Sequence, residues 1–141
     1  MTLQITPYLI MDGNANQAVE FYKQALEAEV LNLVTYGEMP EGPPDKNLKE
    51  HVAHAHLKMG EGELMFSDSP GLPVQKGNQV TICVTAKNVE RAKQVFNALK
   101  QGGNVNAPFE KTSFSPAFGN VTDKFGVTFQ ILVEGPNDLN K

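Results

Sequence analysis

The 141-residue chain has no tryptophan, one cysteine and three histidines, and only 8% of it is aromatic. Each scarcity narrows what the chain can be. A single cysteine cannot close an internal disulfide, so packing must hold the fold, and the expected compartment is the reducing cytoplasm. Cys83 lies in the apolar run Val80-Thr81-Ile82-Cys83-Val84, which predicts a buried core thiol rather than a nucleophile. Positive charge is also short. Twelve Lys+Arg against sixteen Asp+Glu leave a formal net charge of −4, and no basic cluster offsets it, so nucleic acid is not an expected partner. No apolar run approaches the roughly 20 residues that cross a bilayer, and no signal peptide is read at the start, so neither membrane nor export is expected. No serine sits in a Gly-x-Ser-x-Gly turn or beside a histidine, which argues against a serine nucleophile.

What is present suffices for a core: hydrophobic residues make up 40% of the chain, and the length suits a single domain. The chain also echoes itself. Ala18-Val19-Glu20-Phe21-Tyr22-Lys23-Gln24-Ala25 is matched by Ala92-Lys93-Gln94-Val95-Phe96-Asn97-Ala98-Leu99. Each stretch follows a β-type run, and each half closes on a glycine and a strand, at Gly62 to Asp68 and Gly126 to Leu132. A repeated strand–helix–strands unit predicts one pseudo-symmetric domain over residues 1–141, with modules 1–68 and 78–135 joined by a linker at 69–77.

In the first half the expected elements are a strand over Leu3 to Met11, a helix at 14–27 and a strand over Glu29 to Tyr36. Strands over His51 to Met59 and Glu63 to Asp68 follow. Pro7 cannot donate to a ladder and predicts an edge or a bulge. Asn14 or Asn16 is the expected helix cap, and Ala18, Phe21, Tyr22, Ala25 and Leu26 form the apolar face. Gly37 to Glu50, with Pro40, Pro43 and Pro44, reads as a long loop without regular structure. The second half repeats the order. It has a strand over Gln79 to Thr85, a helix at 88–101 with Val89, Ala92, Val95, Phe96 and Leu99 inward, and strands over Asn104 to Thr112, Ser115 to Val121 and Val127 to Val133. A polar tail from Gly135 ends the chain.

The histidines are the first chemical candidates. In a strand His54 and His56 point to one face and His51 to the other. Two histidines at that spacing reach one metal, with Asp68 or Glu63 on the paired strand as further ligands. The alternative is structural: one ring donates to a backbone carbonyl and another lies half-exposed. Asp68 and Asp123 sit at turns, where carboxylates commonly take local backbone amides. Tyr8, Phe114, Phe118, Phe125 and Phe129 either line an apolar cup or pack in the core. Tyr36 and Glu38 begin the long loop and either face the pocket or lie in solvent, the latter being the expectation.

Pro7-Tyr8-Leu9, Asp12-Gly13-Asn14-Ala15, Ala18-Val19-Glu20-Phe21-Tyr22, Gly37-Glu38-Met39-Pro40 and Ala53-His54-Ala55 together resemble the PhnB-like branch of the vicinal-oxygen-chelate (glyoxalase/bleomycin-resistance/dioxygenase) superfamily. So do Leu64-Met65-Phe66-Ser67-Asp68 and Phe118-Gly119-Asn120-Val121-Thr122-Asp123-Lys124-Phe125-Gly126-Val127. The resemblance spans nearly the whole chain. It implies an α+β fold in which two βαβββ modules form a cupped eight-stranded mixed sheet. Metal-dependent members hold one divalent ion with His, Gln or Glu from strands of both modules. Carried onto this chain, those places fall near Thr6 or Pro7, near Met65 or Ser67, near Gln79 or Thr81, and at Gln130. Thr6 and Pro7 are not normal ligands, Gln79 or Thr81 is a poor one, and Gln130 can ligate through its carbonyl oxygen but is neutral and weak. Some relatives carry a demethylubiquinone methyltransferase label, but this chain has no glycine-rich loop for a methyl-donor nucleotide and no room for a second domain.

The resulting expectation is a small-molecule-binding protein without a strong metal centre. Its candidate pocket walls are His54, His56, Met65, Ser67 and Gln130. No cofactor is expected. The alternative is a metal-dependent lyase, isomerase or dioxygenase with His54, His56 and Gln130 as improvised ligands. A third alternative is a regulatory or structural dimer without a ligand. A curved sheet open on one side leaves an apolar rim, and such rims tend to be covered. The expected assembly is therefore a homodimer, with the loop Gly37 to Glu50 as a partner-facing arm.

Overall fold

Proline at position 7 sets where the first strand begins. Pro7 has no N–H to give, but its carbonyl accepts from Met65 N–H at 3.0 Å, and the paired strand β1 runs only over Tyr8–Met11. Leu3 and Ile5 before it are exposed. A computed structural model describes residues 2–42 and 45–134. Pro43, Pro44 and the predicted tail from Gly135 lie outside the described residues.

After β1 come α1 (Ala15–Ala25), β2 (Glu29–Thr35), β3 (Val52–Met59) and β4 (Gly62–Asp68). The order then repeats as β5 (Ile82–Ala86), α2 (Val89–Leu99), β6 (Asn104–Glu110), β7 (Phe118–Thr122) and β8 (Thr128–Val133). The architecture is α+β, two βαβββ modules. The strands form two four-stranded mixed sheets, ordered β1-β4-β3-β2 and β5-β8-β7-β6. In each module the first strand is a parallel edge beside the last, as Pro7 predicted for β1. The chain divides into the units Met1–Gln75 and Lys76–Lys141.

Helix α1 buries Ala15, Ala18, Val19, Tyr22 and Ala25. They meet the sheet face carrying Ala55, Leu57, Leu64 and Phe66, all buried. Tyr22 and Phe66 pack edge to face, with ring centres 5.7 Å apart, a geometry aromatic pairs favour. A large apolar side chain buried this way contributes about 1.5–3 kcal/mol. In the second module Ala92, Val95, Phe96 and Leu99 of α2 face Val121, Phe129, Ile131 and Val133, while Val89 is exposed.

Several sequence expectations are corrected. Helix α1 stops short of residue 27 because Glu27 takes a left-handed φ of 52°, a stop that glycine usually signals. Neither Asn14 nor Asn16 caps α1. Asn14 makes no side-chain cap bond and the Asn16 amide reaches the Glu50 carbonyl at 3.2 Å. The loop after β2 is not without regular structure. One-turn 3-10 helices form at Tyr36–Glu38 and Lys46–Leu48, the first held by Glu38, whose carboxylate accepts from Thr35 N–H and Oγ1–H at 2.8 and 3.0 Å. Cys83 is exposed, not buried. It alternates with Ile82 and Val84 on an edge strand, so its side chain leaves by the face opposite α2. Phe125 and Phe129 are core residues rather than pocket lining.

Candidate functional site

One face of each sheet is taken by its helix, and the other carries the chemistry. Residues opposite one another across a ladder share a face. In the first sheet the register aligns Asn32, His56, Met65 and Tyr8 across β2, β3, β4 and β1. A neighbouring row sets Val34 against His54 and Ser67 against Ile10. Alternation along β3 and β4 puts His54 with His56 and Ser67 with Met65. The structure thus brings four of the five sequence candidates onto one helix-free face. His51 is not on β3 at all, and a bulge between Val52 and His54 turns Val52 into the core, so simple alternation does not extend to it.

Two polar pairs organise this face. The Tyr8 hydroxyl lies 3.2 Å from His54 Nδ1, and the two rings stack at 5.8 Å. His56 Nε2 lies 2.6 Å from Glu63 Oε1. The His56 ring bond is the main reason the Glu63 carboxyl is held below the usual carboxylate range, with Gln4 adding a contact at 3.4 Å. The two imidazole rings are 6.3 Å apart. Ser67 is 7% exposed, and its hydroxyl forms no hydrogen bond among the described residues. At the end of the sheet the Tyr36 hydroxyl donates to the Asp68 carbonyl at 3.0 Å. Burial, followed by the nearby Tyr8 and Asp68, pushes the Tyr36 phenol up. Tyr36 is half-buried rather than in solvent.

Asp68 does not join the histidines. It is fully buried on the opposite face of β4, and its two oxygens accept from Ala15 N–H and Val52 N–H, both at 2.9 Å. It caps α1 and anchors the start of β3. Asp123 is local, as expected at a turn, with Oδ1 accepting from Phe125 and Val127 N–H.

Gln130 belongs to the second unit. It sits on the face of that sheet away from α2, between Cys83 of β5 and Asn120 of β7. Its surroundings are neutral: the Asn106 amide donates to Asn120 Oδ1 at 2.8 Å and Thr122 Oγ1 at 2.9 Å, and the Thr122 and Thr128 hydroxyls meet at 2.9 Å. Phe114 and Phe118 pack edge to face nearby in sequence, at 5.2 Å.

These donors are a poor fit for the divalent ion that the resemblance implies. Among the described residues no group of three or more His, Cys, Asp or Glu could hold a metal. One nitrogen of each histidine is already engaged, by Tyr8 and Glu63. The first and last strands pair Tyr8 with Met65 and Cys83 with Gln130, which are neutral or soft donors. Composition carried no signal for the Tyr8–His54 pair, whose partners are 46 residues apart.

Two βαβββ modules, each with a parallel edge strand and one free sheet face, define the glyoxalase/bleomycin-resistance/dioxygenase fold. A glyoxylase/bleomycin resistance protein/dioxygenase domain from Frankia shares this fold at 10% identity and a TM-score of 0.69, covering 97% of this chain and 96% of its own. The family model described as 3-demethylubiquinone-9 3-methyltransferase matches residues 3–132, and the chain belongs to that PhnB-like family. Its relatives include protein PA1353 from Pseudomonas aeruginosa, a solved structure 34% identical with a TM-score of 0.86 over 95% of this chain and 99% of that one. Protein YjdN from Escherichia coli K12 is 30% identical over 93% of this chain and 95% of its own length. The PhnB protein from Bacillus cereus is 28% identical, with a TM-score of 0.78 over 93% and 99%. Among the described residues no helix is long and apolar enough to cross a membrane.

Proposed function

We propose that this protein binds a small molecule on the helix-free face of its first sheet, without a strong metal centre, as a cytoplasmic homodimer. The observation that carries it is the pair of histidines at one face, each tied by a side chain from another strand, beside an unpartnered, nearly buried serine. Pockets of this kind place a few convergent polar groups among apolar walls, here Ile10, Met65 and Val34. Gln130 lies on the second unit and is not part of this face. The exposed free thiol of Cys83 supports a reducing compartment, and the exposed apolar side chains of Tyr8, Ile10, Leu31 and Leu33 support a covered surface in a dimer.

The methyl transfer in the family's description is not carried over to this chain. Nucleotide cofactors sit at the glycine-rich turns of open parallel sheets, and both sheets here are mixed, with each parallel pair at an edge. The test is a thermal-shift screen of tag-free protein against metabolites and divalent metals, with metal content measured beforehand. A ligand selective for the folded state raises the melting temperature. Stabilisation by an organic ligand that is lost on Ser67→Ala or His54→Ala supports the proposal. Stoichiometric metal in the purified protein overturns its metal-free part and favours a metal-dependent lyase, isomerase or dioxygenase.

A further inference from the structure

We propose that His54 and His56 are locked in fixed tautomers by Tyr8 and Glu63, and that together they present one N–H donor and one bare nitrogen acceptor to a neutral carboxamide on the ligand, a step that rests on the ligand surface proposed above.

The tautomers follow from the partners. A phenol O–H is a stronger donor than a neutral imidazole N–H, and an imidazole lone pair is a stronger acceptor than a phenol oxygen. The 3.2 Å contact between Tyr8 and His54 Nδ1 therefore runs from the hydroxyl to Nδ1, and the His54 proton sits on Nε2. An ionised carboxylate only accepts, so His56 donates Nε2–H to Glu63. The 2.6 Å separation is short, as charge-assisted bonds are, and in the neutral ring a proton on Nε2 leaves Nδ1 bare. Adjacent rings on one face thus offer opposite roles.

Size and charge select the ligand group. The ring centres lie 6.3 Å apart at 57°. A small polar group that reaches one ring is therefore close to the other as well. Ser67 supplies the second, independent observation. The residue is 7% exposed on the same face and its hydroxyl forms no hydrogen bond among the described residues, so it is open to a polar group on the ligand. The face carries the Glu63 carboxylate, and Lys58 opposite it is exposed. An anionic ligand meets that carboxylate, whereas a neutral amide does not. Met65 and Ile10 offer apolar surface to the rest of the molecule.

The test uses the full chain labelled with 15N-histidine, with long-range proton–nitrogen spectra to read each tautomer in alkaline buffer. Benzamide and benzoate are the probes. Both rings are expected to be protonated at Nε2, and benzamide to shift the ring signals of both histidines to saturation while benzoate leaves them unmoved. Tyr8→Phe is expected to mix the His54 tautomers, and Glu63→Gln those of His56, each weakening benzamide about tenfold. A His54 proton on Nδ1 in the native protein overturns the proposal. So does benzoate acting as strongly as benzamide, or benzamide moving neither ring. A metabolite from the thermal-shift screen that shifts these rings without containing an amide would refute this inference and leave the broader proposal standing.

Discussion

Replacing Asp68 with alanine removes the acceptor for two buried backbone amides at once. The side chain is fully buried, and its oxygens each take an N–H at 2.9 Å, from Ala15 at the first turn of α1 and from Val52 at the start of β3. A buried amide left unsatisfied costs about 1–3 kcal/mol, so the two together amount to about 2–6 kcal/mol. That is a large share of the roughly 5–15 kcal/mol by which a domain is stable. Asp68→Asn keeps one acceptor oxygen and turns an NH2 toward the other N–H, so it should cost about half as much. Urea unfolding followed by circular dichroism measures both, as a lower midpoint with an unchanged slope. Hydrogen exchange should show Ala15 and Val52 losing protection together. An Asp68→Ala variant that loses less than about 1 kcal/mol, or an asparagine variant worse than the alanine one, would refute the assignment of Asp68 as the clamp between α1 and β3.

Gly103→Ala should destabilise by about 1–3 kcal/mol or more, because a Cβ there collides with the Thr122 carbonyl oxygen and comes within 2.9 Å of Asp123 Cα; chemical denaturation checks it, and a neutral result would contradict the close approach. The Glu63 carboxyl is held low by the His56 ring, so its folded-state value lies below its unfolded one. Its contribution is then fully present above the ordinary carboxylate value of about 4.3 and is lost as pH falls through the lowered value. The melting-temperature gap between native protein and Glu63→Gln should therefore close on acidification, and a gap that widens would be evidence against the pairing. Adding a chelator should leave the melting temperature unmoved, and zinc, nickel or iron retained at His54 or His56 after chelation would reverse the metal-free proposal. Light scattering at micromolar concentration should give twice the chain mass, and a monomer would count against the dimer.

The fold was legible because its signals are local. The repeated apolar spacing of Ala18, Tyr22 and Ala25 and of Ala92, Phe96 and Leu99 places both helices, and all of these residues are buried. Where the expectations failed, tertiary contacts had replaced local ones. A sequence shows Asn14 before a helix and predicts a cap. It cannot show that the acceptor for Ala15 N–H comes from Asp68, 53 residues away. Cys83 failed differently. An apolar run reads as buried on both faces, but β5 is an edge strand whose other face is left open.

The candidate site was legible only as residue types, because its geometry is a matter of register. Alternation alone pairs His54 with His56 and Met65 with Ser67, but whether the pairs share a face depends on His56 standing opposite Met65 rather than one residue along. The same register separates the two modules chemically. The position that pairs Tyr8 with Met65 in the first is matched by Cys83 with Gln130 in the second, and the final pair of each parallel ladder is Met11 with Asp68 in one and Ala86 with Val133 in the other. The second module needs no carboxylate there, since Asn88 Oδ1 accepts from Arg91 N–H at 2.8 Å and caps α2 from within its own turn. Ionisable side chains are thus concentrated on the free face of the first module, and amides and hydroxyls on that of the second. The two modules share an architecture and differ in what their free faces carry, which is why the chemistry proposed for this chain is assigned to His54, His56 and Ser67 of the first.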